Sequence, residues 1–179
     1  MELKVTAAQD ASFLHDEEVG HCEGPGLIFI DADKFIDRLD GAIMGCYQFL
    51  GKKLTFSACQ YLCFEGFLET LAQHVLNASV KDVRQDPHTY IDKPFFELIF
   101  FDYAGAIGHK TSQKLADDFR QYKKEIWKKI LKGTTVENFL KNGRAIYLAD
   151  WDCQYKLWQD AFDFAAQRGF VVFEYKKGE

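Results

Sequence analysis

The chain has 179 residues, of which 47% are hydrophobic and 16% aromatic, and its formal net charge is −5. That much apolar material can form one sizeable core, and no Ser-, Gly- or Pro-rich linker divides the chain, so we predict a single domain that covers residues 1–179. The composition excludes a largely disordered chain, and the acidic balance argues against nucleic acid as a partner.

The first residues and the cysteines indicate where the protein works. The first residues lack the basic region and apolar run of an export signal, and no apolar segment approaches the roughly 18 residues that cross a membrane. The five cysteines are an odd, scattered set without the usual zinc-ligand spacings. We therefore expect a cytoplasmic protein with reduced thiols, no bound metal, no cofactor and no membrane contact.

In the first half of the chain, hydrophobic periodicity predicts two strands and two helices. Strands are expected at residues 3–6 and 27–30, and a short helix at residues 32–39. A longer helix is expected at residues 57–77, because apolar side chains recur there at spacings of three and four. Gly66 interrupts this helix and should mark close packing or a local bend.

The middle of the chain predicts a loop, a strand and a turn. Residues 79–94 are mostly polar and indicate a loop. Residues 95–101 are apolar except for Glu97, a pattern typical of a central strand that is covered on both faces. Gly105 and Gly108 then indicate a glycine turn.

A long amphipathic helix is expected at residues 111–131, with Thr111 or Ser112 as its N-cap. Its spacing places five apolar side chains on one face: Leu115, Phe119, Tyr122, Ile126 and Ile130. The opposite face carries three lysines: Lys124, Lys128 and Lys132. One face should therefore enter the core and the other should meet solvent.

A last helix is expected to begin at Trp151 and to end at Gly169, with a strand at residues 170–175 behind it. Its apolar stripe consists of Trp151, Tyr155, Trp158, Phe162 and Ala165. Strands and helices do not alternate regularly along the chain. We therefore predict an α+β fold in which amphipathic helices flank a mostly antiparallel sheet.

The predicted glycine turn is a candidate small-ligand site. Gly105 and Gly108 are too close for a phosphate-binding P-loop, and His109 separates Gly108 from Lys110. The amides at the start of the next helix, with Lys110 beside them, could still hold an anion or a partner carboxylate. Alternatively, Asp102 could orient His109 as a general base, although no Ser or Cys nucleophile motif accompanies the pair. The ordinary alternative is a turn followed by a capped helix.

Two segments of opposite charge are candidate binding surfaces. Residues 1–50 contain ten acidic and three basic side chains, whereas residues 110–132 contain eight basic and three acidic ones. The candidate binding residues are Asp16, Glu17 and Glu18 on the acidic segment and Lys110, Lys124, Lys128 and Trp127 on the basic helix. Trp127 is included because it falls about 120° from Leu115 around the helix axis. Solvated loops and faces are the alternative explanation for both segments.

Three segments in the second half of the chain resemble small bacterial cytosolic proteins, among them immunity proteins of toxin systems. The matching segments are FFDYAGAIG at residues 100–108, KLADDF at residues 114–119 and YKLWQDAFDFAAQRGFVVF at residues 155–173. The resemblance implies a compact protein that covers the active face of a toxin, a task that needs complementary charge and no catalytic residues.

From these observations we expect a non-enzymatic protein-binding module, with an immunity (toxin-neutralising) protein as the form that the resemblance implies. The expected partner is another protein, such as a toxin, and a homodimer remains open. The alternative is a small enzyme or an anion-binding protein that uses Asp102 and His109. A deep pocket that contains both side chains would favour this alternative.

Overall fold

The computed structural model describes residues 2–13, 27–29, 35–36, 46–49, 52–100, 105–132 and 144–176. The strands in these residues are β1 Glu2–Ala8, β2 Ala11–Phe13, β3 Leu27–Phe29, β4 Phe35–Ile36, β5 Cys46–Phe49, β6 Lys53–Gln60, β7 Gly105–Gly108 and β8 Phe170–Lys176. The helices are α1 Tyr61–Leu71, α2 Val80–Gln85, α3 Pro87–Tyr90, α4 Phe96–Phe100, α5 His109–Leu131 and α6 Arg144–Ala165. A π-helical segment, Ala72–Leu76, continues α1.

The strands form two sheets. The larger sheet has the order β4-β7-β8-β1-β6, and the smaller one has the order β2-β5-β3. All pairings are antiparallel except that between β4 and β7, which is parallel. The predicted α+β fold with a mostly antiparallel sheet is therefore confirmed.

The centre of the larger sheet is the pair β1 and β8, in which Val5 lies opposite Phe173. Strand β1 carries the β-branched residues Val5 and Thr6, and β8 carries both β-branched and aromatic residues, which fit a pleated surface. Alternate residues of the two strands enter the core beneath the helices: Leu3, Val5, Ala7, Val171 and Phe173. The helices pack against this face of the sheet.

The two long helices α5 and α6 pack against each other and against the sheet. The predicted stripe of α6 is buried along its whole length, and Leu115, Phe119 and Ile126 of α5 are buried as well. The Tyr155 hydroxyl of α6 donates a buried hydrogen bond to the Phe119 carbonyl of α5 at 2.6 Å. Among the described residues, no helix combines the length and apolar character that a membrane crossing requires.

Two helix predictions in the first half are wrong in part. Residues 35–36 were expected in a helix, but they form β4 and pair with β7. Residues 57–60 were also expected in a helix, but they belong to β6, which runs directly into α1. Gly66 is not closely packed either, because a Cβ added there would meet no atom within 4 Å.

The predicted loop at residues 79–94 and the predicted strand at residues 95–101 are also wrong. The loop contains α2 and α3, and α2 begins with a capping box in which Ser79 and Asp82 bond each other's backbone N–H groups. Residues 96–100 form α4, in which Phe96, Leu98 and Ile99 are buried, Glu97 is half-buried and Phe100 is exposed. A short apolar run fits a buried helix as well as a buried strand.

The start of α5 and the two ends of α6 differ from the prediction. Gly105–Gly108 is strand β7 rather than a turn, and α5 begins at His109 with Gly108 as N-cap instead of Thr111 or Ser112. Helix α6 begins at Arg144, earlier than Trp151. The left-handed residue after α6 is Arg168, with φ of 55°, and not Gly169.

Candidate functional site

Three lysines form a row along the exposed side of α5. Lys124, Lys128 and Lys132 follow one another at intervals of four residues, so neighbouring side chains lie about one helical turn apart, and all three are exposed. We call this set the lysine ridge. It spans about 12 Å along the helix axis, on the side of α5 opposite to the buried stripe.

The lysine ridge differs from four other cations of α5, because its lysines lack carboxylate partners among the described residues. Four cations of this helix do pair with carboxylates: Lys114 with Glu97 at 2.5 Å, Lys123 with Asp152 at 3.2 Å, Lys129 with Glu125 at 2.8 Å, and Arg120 with Asp117 at 2.5 Å and with Asp163. None of the three ridge lysines forms an ion pair with any residue in the described part of the chain.

The spacing of the ridge carries a cost to folding. Like charges four residues apart on a helix repel, by about 0.2–0.5 kcal/mol for each of the two neighbouring pairs. For Lys128 and Lys132, part of this repulsion is offset because positive charges are stabilised near a helix C-terminus. Lys124 lies before the last turn and has no such compensation. Its exposed charge is therefore available for contact with another molecule.

An apolar contact point lies next to the ridge. Leu131 is 48% exposed and lies between Lys128 and Lys132 in the sequence. An open cavity of about 580 Å³ is lined by Glu125, Lys128, Lys129, Leu131 and Lys132. The end of α5 thus combines unpaired positive charge with an apolar surface.

The other two candidates on α5 occupy different surroundings. Trp127 is half-buried, and its ring packs edge-on against Trp151 of α6, with ring centroids 5.7 Å apart. Lys110 is exposed in the first turn, fourteen residues before Lys124 and therefore about 21 Å away along the axis. The structure brings Lys124 and Lys128 together and leaves Lys110 at the opposite end of the helix.

The acidic candidates Asp16, Glu17 and Glu18 lie outside the described residues, and so does Asp102. The pairing of Asp102 with His109 therefore stays a prediction. His109 itself is described: it is the first residue of α5 and is half-buried. Its Nδ1 atom is buried and has no hydrogen-bond partner in the part of the chain that the structure describes.

A cluster of charged side chains near α4 was missed by the sequence analysis. Lys114 of α5 lies 2.5 Å from Glu97 and 3.7 Å from Asp118, so one ammonium group serves two carboxylates. Burial raises the pKa of the Asp118 carboxyl, although the Phe95 N–H and the Lys114 ammonium act in the opposite direction. Lys114 and Asp118 are four residues apart and could have been paired from the sequence, but Glu97 was assigned to a strand.

Ser112 was also misjudged by the sequence analysis. The sequence offers it as an N-cap, but it lies inside α5 and is fully buried, and its Oγ atom has no hydrogen-bond partner within the described segments. The signal that could have placed it correctly is its spacing, because Ser112 precedes Leu115 by three residues and Phe119 by seven. It is a polar residue on the buried stripe.

Known proteins give no guide to which of these features is functional. In the three comparisons made, no family model, no curated protein and no solved structure matches this chain. Within the described residues, no three His, Cys, Asp or Glu side chains are grouped as metal ligands. The exposed charges of α5 are therefore the feature from which a function can be inferred.

Proposed function

We propose that this protein is a non-enzymatic binding module that docks an acidic surface of another protein on the lysine ridge. The observation that carries the proposal is the contrast within α5. Four of its cations have carboxylate partners inside the protein, whereas Lys124, Lys128 and Lys132 have none in the described part and stand exposed beside Leu131.

The electrostatics favour a protein partner over a nucleic acid. A chain with net charge −5 lacks the broad positive field that attracts a polyanion, whereas a ridge about 12 Å long matches a few carboxylates on a folded surface. Each exposed charge pair contributes only about 0.2–1 kcal/mol. The ridge would therefore set the association rate and the specificity, and apolar contacts such as Leu131 would supply more of the affinity.

The resemblance to immunity proteins names a toxin as one candidate partner. In that role the ridge would cover an acidic patch on the toxin, while the segment with Asp16, Glu17 and Glu18 would suit a basic one. A second copy of this chain is another acidic partner, because residues 1–50 hold ten acidic against three basic side chains. Light scattering on the purified protein separates self-association from binding to a different protein.

The test compares two triple variants of the full chain. The first, Lys124→Gln, Lys128→Gln and Lys132→Gln, removes the ridge. The control is a second triple variant that removes three exposed lysines elsewhere and changes the net charge equally: Lys52→Gln, Lys81→Gln and Lys156→Gln. Each protein is immobilised and exposed to lysate of the source cells at about 0.15 M salt, where weak surface attraction is largely screened.

The proposal expects a protein that is retained by the wild type and by the control but not by the ridge variant. Once purified, this partner should bind the wild type more weakly as salt rises, and the salt dependence should be reduced in the ridge variant. If the ridge variant and the control retain the same proteins with the same affinities, the lysine ridge is not the docking surface.

A further inference from the structure

The beginning of α5 lies at a second, separate place in the fold where a ligand could bind. Strands β4 and β7 run parallel, with Phe35 opposite Ala106 and Ile36 opposite Ile107. Helix α5 follows β7 without a connecting loop, since Gly108 ends the strand and His109 opens the helix. The carboxyl edge of a parallel strand pair thus meets the N-terminus of a 23-residue helix. Helix N-termini can bind anions through their free N–H groups, and in open parallel sheets ligands bind outside the carboxyl ends of the strands.

Two polar atoms at this place are buried and have no hydrogen-bond partner among the described residues: His109 Nδ1 and Ser112 Oγ. The two residues are three positions apart, so they lie on the same side of the first turns. Helical side chains lean towards the N-terminus, which directs the hydroxyl of Ser112 over the turn that begins at His109. Buried polar groups in folded proteins nearly always have a partner, so two adjacent exceptions indicate a missing one.

The charge at this end of α5 selects an anion. A helix N-terminus carries a partial positive charge, and the first turn of α5 contains no acidic residue that would neutralise it. Lys110 adds a cation to the same turn. Both orphaned groups can donate a hydrogen bond, the hydroxyl of Ser112 through its proton and His109 through a protonated Nδ1. Ser112 is fully buried and His109 is half-buried.

We propose that the N-terminus of α5 binds a small tetrahedral oxyanion, either inorganic phosphate or the phosphoryl group of a small phosphate ester. Ser112 Oγ and His109 Nδ1 donate hydrogen bonds to its oxygens, and the helix dipole stabilises its charge. This site lies at the opposite end of α5 from the lysine ridge, so it does not depend on the proposed protein-binding function.

The test titrates the full-length wild type with inorganic phosphate and, separately, with a nucleoside monophosphate, followed by calorimetry. Ser112→Ala and His109→Phe each remove one donor. The matched controls, Ser57→Ala on β6 and His88→Phe on α3, make the same changes at exposed positions. We expect saturable binding to the wild type, a loss of at least about tenfold in affinity for each of the two site variants, and no change for the controls.

The two titrations also identify the source of the phosphoryl group. Tighter binding of the nucleotide assigns the site to a phosphate ester, and equal or tighter binding of inorganic phosphate assigns it to the free ion. Absence of binding by the wild type up to about 10 mM of either probe overturns the proposal, and so does binding that both site variants retain in full.

One measurement needs only the wild type and guards against variants that fail to fold. The ring nitrogens of His109 are followed by NMR while inorganic phosphate is added. A saturable shift of these resonances, with those of His88 unchanged, supports the site. Unchanged His109 resonances over the same range contradict it.

Discussion

The Asp118 carboxylate accepts a hydrogen bond from the backbone N–H of Phe95 at 2.9 Å. Phe95 is fully buried and has φ of 59°, a left-handed conformation that bulky residues rarely adopt. The bond links the residue that precedes α4 to the third turn of α5. It also explains why a carboxyl group with only 13% of its side chain exposed lies at this point.

Replacing Asp118 tests whether this hydrogen bond stabilises the backbone conformation of Phe95 at the start of α4. Asp118→Ala leaves the buried N–H of Phe95 without an acceptor, and we expect the free energy of unfolding to fall by about 1–3 kcal/mol. Asp118→Asn retains an oxygen acceptor and should lose less. Urea denaturation of the three proteins measures the difference, and equal losses in both variants would mean that charge, not the hydrogen bond, is what matters.

Two glycine-to-alanine changes are expected to act in opposite directions. At Gly169 an added Cβ would overlap the carbonyl oxygen of Ala8, so Gly169→Ala should destabilise the protein by about 3 kcal/mol or more. At Gly66 an added Cβ meets open space within a helix, so Gly66→Ala should stabilise it by about 0.5–1 kcal/mol. Thermal melts report both changes, and a stable Gly169→Ala protein would show that β1 and the turn before β8 can separate cheaply.

The stability of the protein should depend on pH through His74. Burial lowers the pKa of this imidazole below its ordinary value of 6.5, and the nearby Lys129 ammonium lowers it further. Between the lowered pKa and 6.5, the unfolded chain binds more protons at this site than the folded one, so the free energy of unfolding should rise with pH through that window. In His74→Gln this contribution should be missing.

The measurement for His74 is a series of guanidinium denaturations from about pH 5 to about pH 8 on the wild type and His74→Gln. The matched variant Lys129→Gln keeps the imidazole and removes the neighbouring charge, so an NMR titration should find the pKa of His74 closer to its ordinary value. Identical pH profiles for the wild type and His74→Gln would rule out this residue as the source.

Substitutions of Trp127 test whether this half-buried side chain stabilises the fold or serves only to bind a partner. Because its ring packs against Trp151, Trp127→Ala should lower the free energy of unfolding by about 2 kcal/mol, whereas Trp127→Phe should cost less. If Trp127→Ala leaves the stability unchanged but weakens binding of a partner, the side chain belongs to the docking surface alone.

The long helices could be predicted because their pattern repeats over several turns. Leu115, Phe119 and Ile126 make one side of α5 apolar over three turns. This spacing fits an α-helix and does not fit the two-residue period of a strand. The same spacing correctly placed Lys124 and Lys128 on the exposed side. In a long amphipathic helix, the sequence alone predicts which side is buried and which is exposed.

For short elements, the sequence does not predict the type of secondary structure in this way. The run at residues 96–100 has too few positions for a period to appear, and its packing against α5 decides that it is a helix. Residues 105–108 contain two glycines, which suggest a turn, yet pairing with β8 makes them a strand. The contact between Glu97 and Lys114 was hidden for the same reason, since it depends on α4 being helical.

The proposed anion site could not be predicted in full from the sequence. The sequence places His109 beside the two glycines. That Ser112 lies close to His109 follows only from the start of α5 at His109, because both residues then lie in the first turns of one helix. Whether a buried hydroxyl has a partner depends on tertiary packing and leaves no trace in local composition.

The position of β8 also determines the order in which the protein can assemble. This strand lies third of five, between β7 and β1, and its pairing partner Ala8 precedes Phe170 by 162 residues. During synthesis, β1 and β6 can join early, but they stay apart from β7 until residue 176 has been made. Closing so long a loop is entropically costly and slows folding. A nascent chain therefore carries two open sheet edges, at β1 and at β7, that must stay shielded from other chains until one late strand fills the gap.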